Sequence, residues 1–325
     1  MTRVRHVVEY AAFRVVEALV RALPHRGARA LGRRIGRLAH GVLRRHRRIA
    51  RENLARALPE IGPEERARTV RACFEHFGLA LADTVSVGRF DLVELCRRMD
   101  LEGWHHLQEA EARAAEGGVG VFVLSAHLGL WEVAAYPPGI YGGPLHVVGR
   151  PLDNPLLDRK LAGARARFGN RPVSKRGAVR PMMKILGRGG RVGILIDQRA
   201  RPGEGIRVPF FGIPSYTTPV LARIALRTGA PVVPIFGLPR PRGRYRIVLR
   251  EAIWPEAAEG LEGEEAVAEL TRLYLAACEA EIRRHPEMWL WMHRRWKPVP
   301  GELAPGVEGG GAGALPGDRS SRSGG

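Results

Sequence analysis

Residues Val121 to Glu132 read VFVLSAHLGLWE, an apolar run that delivers His127 and then, five positions on, Glu132. Imidazole is the side chain best matched to taking and returning a proton near neutral pH. A carboxylate that folds back onto one ring nitrogen keeps that nitrogen protonated and leaves the other free as a base, the division of labour of catalytic triads. The run ends where an open α/β sheet presents its chemistry, at the carboxyl end of a strand. His-x4-Glu is a short pattern, and its plain alternative is a capping or core histidine followed by a solvated helix residue. Other chemistries lack their signatures. There is no GxSxG elbow, HExxH helix or GxxxxGK[ST] loop, and Gly187-Arg188-Gly189 has Val192 where a dinucleotide fingerprint needs its third glycine.

The elements that must position these residues follow from periodicity. Val119–Leu124, Leu145–Val148, Val192–Ile196, Val232–Phe236 and Tyr245–Leu249 read as strands, several of them apolar on both faces. Pro63 to Val87, Leu156–Arg167, Val179–Leu186, Pro219–Arg227 and Glu264–Arg284 read as helices. Alternation of this kind implies an α/β fold, a mostly parallel or mixed central sheet covered by helices, with a basic amphipathic helical region before it.

That region spans residues 1–60, the α/β domain 61–300, and a Gly/Ser/Pro-rich tail 301–325 has too few apolar side chains to order itself. In the first helix Arg3, His6, Arg14, Glu17 and Arg21 gather on one side and Val8, Ala12, Val15, Val16, Leu19 and Leu23 on the other. The charges exclude a spanning segment. The helix either lies in a membrane interface or packs on its own core. Arginines crowd residues 26–56, including Arg33, Arg34, Arg44, Arg45, Arg47 and Arg48, and suit an anionic membrane or another polyanion.

The 325 residues carry 52 Lys and Arg against 33 Asp and Glu, a formal charge of +19, with 45% hydrophobic and 26% charged residues. Such a chain is too apolar for disorder and too charged for a polytopic membrane protein. The charge points to polyanionic partners, among which nucleic acid, anionic lipid and an acidic carrier protein all qualify. Three scattered cysteines rule out a disulfide framework and fit a reducing compartment.

Six blocks in order resemble the late acyltransferases of lipid A biosynthesis, within the glycerolipid acyltransferase superfamily. They are HLGLWE at 127–132, RPLDNP at 150–155, Gly163-Ala164-Arg165, ILIDQ at 194–198, VPFFG at 208–212, and PEMWLWMHRRWK at 286–297. The resemblance runs from Arg47-Arg48 and Asn53-Leu54 to Lys297. It implies transfer of a fatty acyl group from a thioester, usually on acyl carrier protein, to a hydroxyl of a lipid acceptor. Residue by residue it implies His127 as general base with Glu132 as its partner, and places Arg165 and Asp197 at the other catalytic-site positions.

The chemistry agrees, because an attacking alcohol must lose its proton and the tetrahedral oxyanion needs a fixed donor. Arg165 or backbone N–H groups are candidates for that donor. Arg165 also reads as one of several surface cations, and Asp197 as a residue ordering an arginine or the acceptor. Arg150 and Asn154 are expected to shape the site floor or bind phosphate. Trp289, Trp291 and His293 read either as an interfacial cluster or as a closure of the core. No nucleophilic Ser or Cys and no cofactor or metal is needed.

The expected partners are acyl carrier protein, anionic membrane lipid and a glycolipid acceptor, with no nucleic acid, at the cytoplasmic face of the inner membrane. A lipid A precursor is the leading acceptor, and a lysophospholipid or phosphatidylinositol mannoside the runner-up. A basic nucleic-acid-binding protein or an inactive membrane scaffold are the readings from other classes.

Overall fold

The computed structural model describes residues 2–297, so the tail read at 301–325 lies outside the described residues. Four helices come first: α1 (Thr2–Ala22), α2 (His25–Val42), α3 (Arg44–Ala57) and α4 (Pro63–Val87). A short α5 (Leu92–Arg98) leads to β1 (Met99–Glu102) and α6 (Trp104–Glu116). Next are β2 (Val121–Ser125), α7 (Trp131–Ala134), α8 (Tyr136–Tyr141) and β3 (Leu145–Gly149). They are followed by α9 (Pro155–Ala166), β4 (Asn170–Ser174), α10 (Val179–Leu186) and β5 (Arg191–Leu195). A hairpin of β6 (Ile206–Phe210) and β7 (Ile213–Thr217) precedes α11 (Val220–Thr228), β8 (Val232–Pro239), β9 (Tyr245–Leu249) and α12 (Gly263–Arg284).

Seven strands form one mixed sheet in the order β1-β9-β8-β2-β5-β3-β4, parallel throughout except where β8 meets β9. The central strands hold their position by being apolar on both faces. All five residues of β2 are buried, as are Val232 to Leu238 of β8. β6 and β7 are joined by Phe211-Gly212, both at positive φ (55° and 70°), a two-residue turn of the type whose twist suits a hairpin.

The helical region rests on α4. Gly32 and Gly36 of α2 meet Gly78 and the Phe74 carbonyl of α4 backbone to backbone, and a Cβ at any of the three glycines would stand far inside van der Waals contact of the other helix's main chain. Buried Asp83 of α4 pins the crossing, accepting from Arg29 at 2.7–3.0 Å and lying 2.7 Å from His25 Nε2. Ala50, Leu54 and Ala57 of α3 belong to the same buried cluster as the sheet.

α1 packs through Tyr10, Phe13, Val16, Glu17 and Val20, while Val4, Val8, Val15 and Leu19 are 53–68% exposed. The charged side of the helix thus turns inward at Glu17, whose carboxylate meets Lys160 of α9 at 2.7 Å and Arg21 at 3.3 Å. Most of its apolar stripe faces outward, Val16 and Leu23 excepted. No helix among the described residues is long and apolar enough to cross a membrane.

Candidate active site

β2 and β5 are neighbours in register, with Ser125 opposite Leu195. Two residues beyond each paired end stand His127 and Asp197, side by side at the carboxyl edge of the sheet. His127 Nδ1 lies 2.8 Å from Asp197 Oδ1, and the His127 backbone N–H donates to Oδ2 at 2.9 Å. The indole N–H of Trp289 donates to the same Oδ2 at 2.8 Å. The segment carrying Trp289 is held in turn by main-chain bonds from Leu290 N–H to the His127 carbonyl and from Gly129 N–H to the Met288 carbonyl.

Burial pushes the Asp197 carboxyl up, but the His127 charge and the three hydrogen bonds outweigh it and hold the group at about 2. Burial likewise pushes His127 down, and the Asp197 charge and hydrogen bond, with a smaller pull from Glu132, bring it above its ordinary value. An acceptor on Nδ1 keeps the proton of the neutral ring there, so Nε2 is the free base nitrogen. The amide nitrogen of Gln198, the residue after Asp197, lies 3.3 Å from Nε2, a long contact that an incoming hydroxyl can displace.

The carboxylate on His127 is therefore Asp197 and not Glu132, which corrects the pairing expected from His-x4-Glu. Glu132 stands in the first turn of α7 and faces α9. There Arg165 holds it by a two-pronged fork, Nε to Oε2 at 2.8 Å and Nη2 to Oε1 at 2.5 Å. Glu132 acts on His127 only through space. Its fork places Arg165 in the cavity wall, so Arg165 is not a free surface cation.

His127, Gln198, Glu132 and Arg165 line a cavity of about 550 Å³, within the range of small-molecule sites. Its apolar wall includes one face of four adjacent strands, Val123 of β2, Gly193 of β5, Leu145 and Val147 of β3 and Ile235 of β8, with Val148 and Ile194 toward the strands' carboxyl ends. The five that share this face are odd-numbered, as the period of two requires. Ser125 also lines the cavity, but its hydroxyl donates to the Ile235 carbonyl at 2.7 Å. Buried Cys73, whose thiol burial pushes up to about 12, donates to the Trp289 carbonyl. Neither is poised as a nucleophile.

Arg150 lines the cavity, exposed and paired with Asp153 at 2.5 Å. Asn154 is placed otherwise than expected for a substrate contact. It is buried, accepts from Leu156 N–H as the N-cap of α9, and donates to the His6 carbonyl and to Glu9 Oε2 at 2.8 and 3.1 Å, so it ties α1 to α9. Trp289 and Trp291 are 1% and 0% exposed and close the core with Phe210, Phe211 and Trp296, which excludes the interfacial reading. His293 accepts from the Arg199 N–H at 3.1 Å, and burial pushes it down to about 4, so it stays neutral while holding the Gln198 loop. Sequence reasoning missed the roles of Trp289, His293 and Gln198, whose sole signal was their place inside ordered motif blocks.

The sequence matches the family model for bacterial lipid A biosynthesis acyltransferases over residues 1–298. The lipid A biosynthesis lauroyltransferase of Escherichia coli K12 is 29% identical over 287 residues, covering 87% of this chain and 89% of that one. The palmitoleoyltransferase of the same organism is 30% identical over 278 residues, covering 83% and 85%. A phosphatidylinositol mannoside acyltransferase of Mycobacterium tuberculosis is 26% identical over 254 residues, 76% of each chain.

Proposed function

Since the chain belongs to the family of bacterial lipid A biosynthesis acyltransferases, and is an O-acyltransferase, we propose that it moves a fatty acyl group from an acyl-carrier-protein thioester to a hydroxyl of a lipid A precursor. The observation that carries this reading is a base nitrogen, His127 Nε2, free at a cavity whose wall is apolar. The acyl chain lies along that wall and sets the thioester carbonyl near His127. Nε2 takes the proton of the acceptor hydroxyl as its oxygen attacks the carbonyl carbon. The C–O bond forms, the tetrahedral intermediate collapses with cleavage of the C–S bond, and the imidazolium returns the proton to the leaving thiolate. Asp197 holds the ring in the right tautomer and stabilises the imidazolium. Arg165, fixed by Glu132, supplies positive charge toward the oxyanion, and the Gln198 amide, displaced from Nε2, is a second donor.

In this reading residues 1–60 serve as the membrane-associating region, α1 is its contact, and the enzyme works peripherally at the cytoplasmic face of the inner membrane. The outward stripe of Val4, Val8, Val15 and Leu19, on a helix that packs against the arginine-bearing α2, suits an anionic interface. The same basic helices suit an acidic carrier protein. Val8→Glu with Val15→Glu should reduce co-sedimentation with anionic vesicles at least tenfold and leave the melting temperature within about 2 °C, because both side chains are exposed. Undiminished sedimentation would exclude α1 as the contact.

The reaction is tested by mixing the protein with carrier protein charged with labelled C12 to C16 chains and a panel of acceptors, with His127→Ala as the blank. Label on a lipid A precursor supports the reading. The likeness to the mannoside enzyme favours a second acceptor class, so the panel includes a phosphatidylinositol mannoside and a lysophospholipid. Label on one of those alone would replace the acceptor, and no labelled lipid at all would overturn the reading.

A further inference from the structure

A second pocket, of about 200 Å³, lies where α3 meets the C-terminal segment of the described chain. From α3 it takes Arg48, Glu52 and Arg56, spaced four apart and so on one helix face. The other segment contributes Arg294, Trp296 and Lys297. Four cations thus face one carboxylate, and that carboxylate already has Arg48 at 3.7 Å. No carboxylate of the described residues pairs with Arg294 or Lys297, and the buried indole N–H of Trp296 has no acceptor among them.

A solvated basic face would need no scaffold, whereas this one has one. Asn53, 5% exposed, donates to the carbonyls of Trp291 and His293 at 2.8 and 2.6 Å and so clamps the C-terminal segment onto α3. Arg295, 0% exposed, fixes the next stretch through the Tyr216 carbonyl and the Thr217 hydroxyl at 2.6 and 2.5 Å. The backbone is thus tied down on both sides of Arg294, and Arg56 donates to the Trp296 carbonyl at 3.3 Å, next to Lys297. This backbone is continuous with Trp289, which supports Asp197, and His293, which holds the loop beside Gln198.

A small pocket with surplus positive charge and fork-shaped donors on a clamped backbone matches a tetrahedral oxyanion. We propose that it binds a phosphate ester carried by one of the two reactants and so anchors that reactant beside His127. The proposal rests on the acyl-transfer reading for its role, though not for its chemistry. The phosphate has two possible sources: the phosphopantetheine arm that bears the acyl group, and a phosphorylated sugar of the acceptor.

Binding comes first. Titration of the full chain into inorganic phosphate, followed by ³¹P NMR, should show saturable broadening that weakens at least tenfold in Arg294→Gln/Lys297→Gln. It should be unchanged in Lys184→Gln/Arg188→Gln, an equal charge loss elsewhere. No saturable binding by the wild type, or equal weakening in both variants, overturns the proposal. Steady-state kinetics then separate the sources, using acyl-phosphopantetheine against acyl-pantetheine, and a phosphorylated acceptor against its dephosphorylated form. The Arg294→Gln/Lys297→Gln variant should raise KM at least tenfold, with kcat within twofold, for the reactant that carries the phosphate, and the penalty should vanish when the phosphate is removed. A penalty independent of phosphate also overturns it. Should no acyl transfer occur with any reactant, the reaction reading fails and the phosphorus titration still decides the pocket.

Discussion

Asp197→Asn is expected to lower kcat/KM by about 10⁴-fold while the protein stays folded, the scale on which a triad fails when its histidine is held in the wrong tautomer. The amide introduced by this substitution can still accept from the His127 backbone N–H and from Trp289 through its one oxygen, where Oδ2 accepts now. Its NH₂ then faces Nδ1, which must become the acceptor. The ring proton moves to Nε2, and the nitrogen that should take the hydroxyl proton carries one already.

The pH dependence gives a second, independent readout. As the proposed base His127 can act only when neutral, and its pairing raises its pKa above 6.5. The inactive imidazolium therefore persists to higher pH, and in the wild type log kcat/KM should climb through a value above 6.5 and then level off. In Asp197→Asn the raising charge is gone and burial remains, so the residual activity should show its acid limb below 6.5. A limb that does not move would assign the titration to another group. Glu132→Gln keeps the Asp197 pair, so its limb should shift far less than that of Asp197→Asn.

The second large effect is on stability, and its sign is the test. In an exposed helix interior, Gly→Ala stabilises by roughly 1 kcal/mol on propensity alone. Gly163 on α9, with nothing near its missing Cβ, should gain up to about that much. At Gly78 the new methyl would meet the Gly32 carbonyl and the Gly36 amide, which are backbone atoms that cannot rotate aside. Gly78→Ala should instead destabilise by about 3 kcal/mol, toward the upper end of overpacking, and lower the melting temperature by roughly 6–12 °C. Calorimetry of the two variants side by side checks it. A stabilised Gly78→Ala would mean that α2 and α4 do not touch as closely as described.

The apolar strands were legible because burial on both faces writes itself as an unbroken run: β2, β3, β5, β8 and β9 stand where that pattern put them, within a few residues. β1 and β4 escaped for the complementary reason. They are the two edges of the sheet, four and five residues long, and expose side chains such as Asp100, Arg171 and Pro172, so nothing in MDLE or NRPVS alternates cleanly. Helices α4 and α10 match the ranges read from periodicity. His127 was legible from its strand and Asp197 from its motif block. Their partnership was not, since it depends on β5 lying next to β2, and neighbourhood in a sheet is a tertiary fact. Glu132 was misjudged for the same reason: closeness along the chain suggested His127, and Arg165 on α9 was the nearer charge in space.

Because His127 and Asp197 each sit two positions past paired strand ends, the pair behaves as a reading frame. Adding or deleting one residue between Val121 and His127, or between Arg191 and Asp197, would turn a side chain to the wrong face or slide it past its mate. The turns between the strands have no such constraint. Turns such as Gly142-Gly143-Pro144 and Gly187-Arg188-Gly189 can lengthen or shorten while the frame stays closed. Insertions are therefore best tolerated in such turns, which enter β3 and β5 at the amino edge of the sheet, opposite the edge where His127 and Asp197 meet.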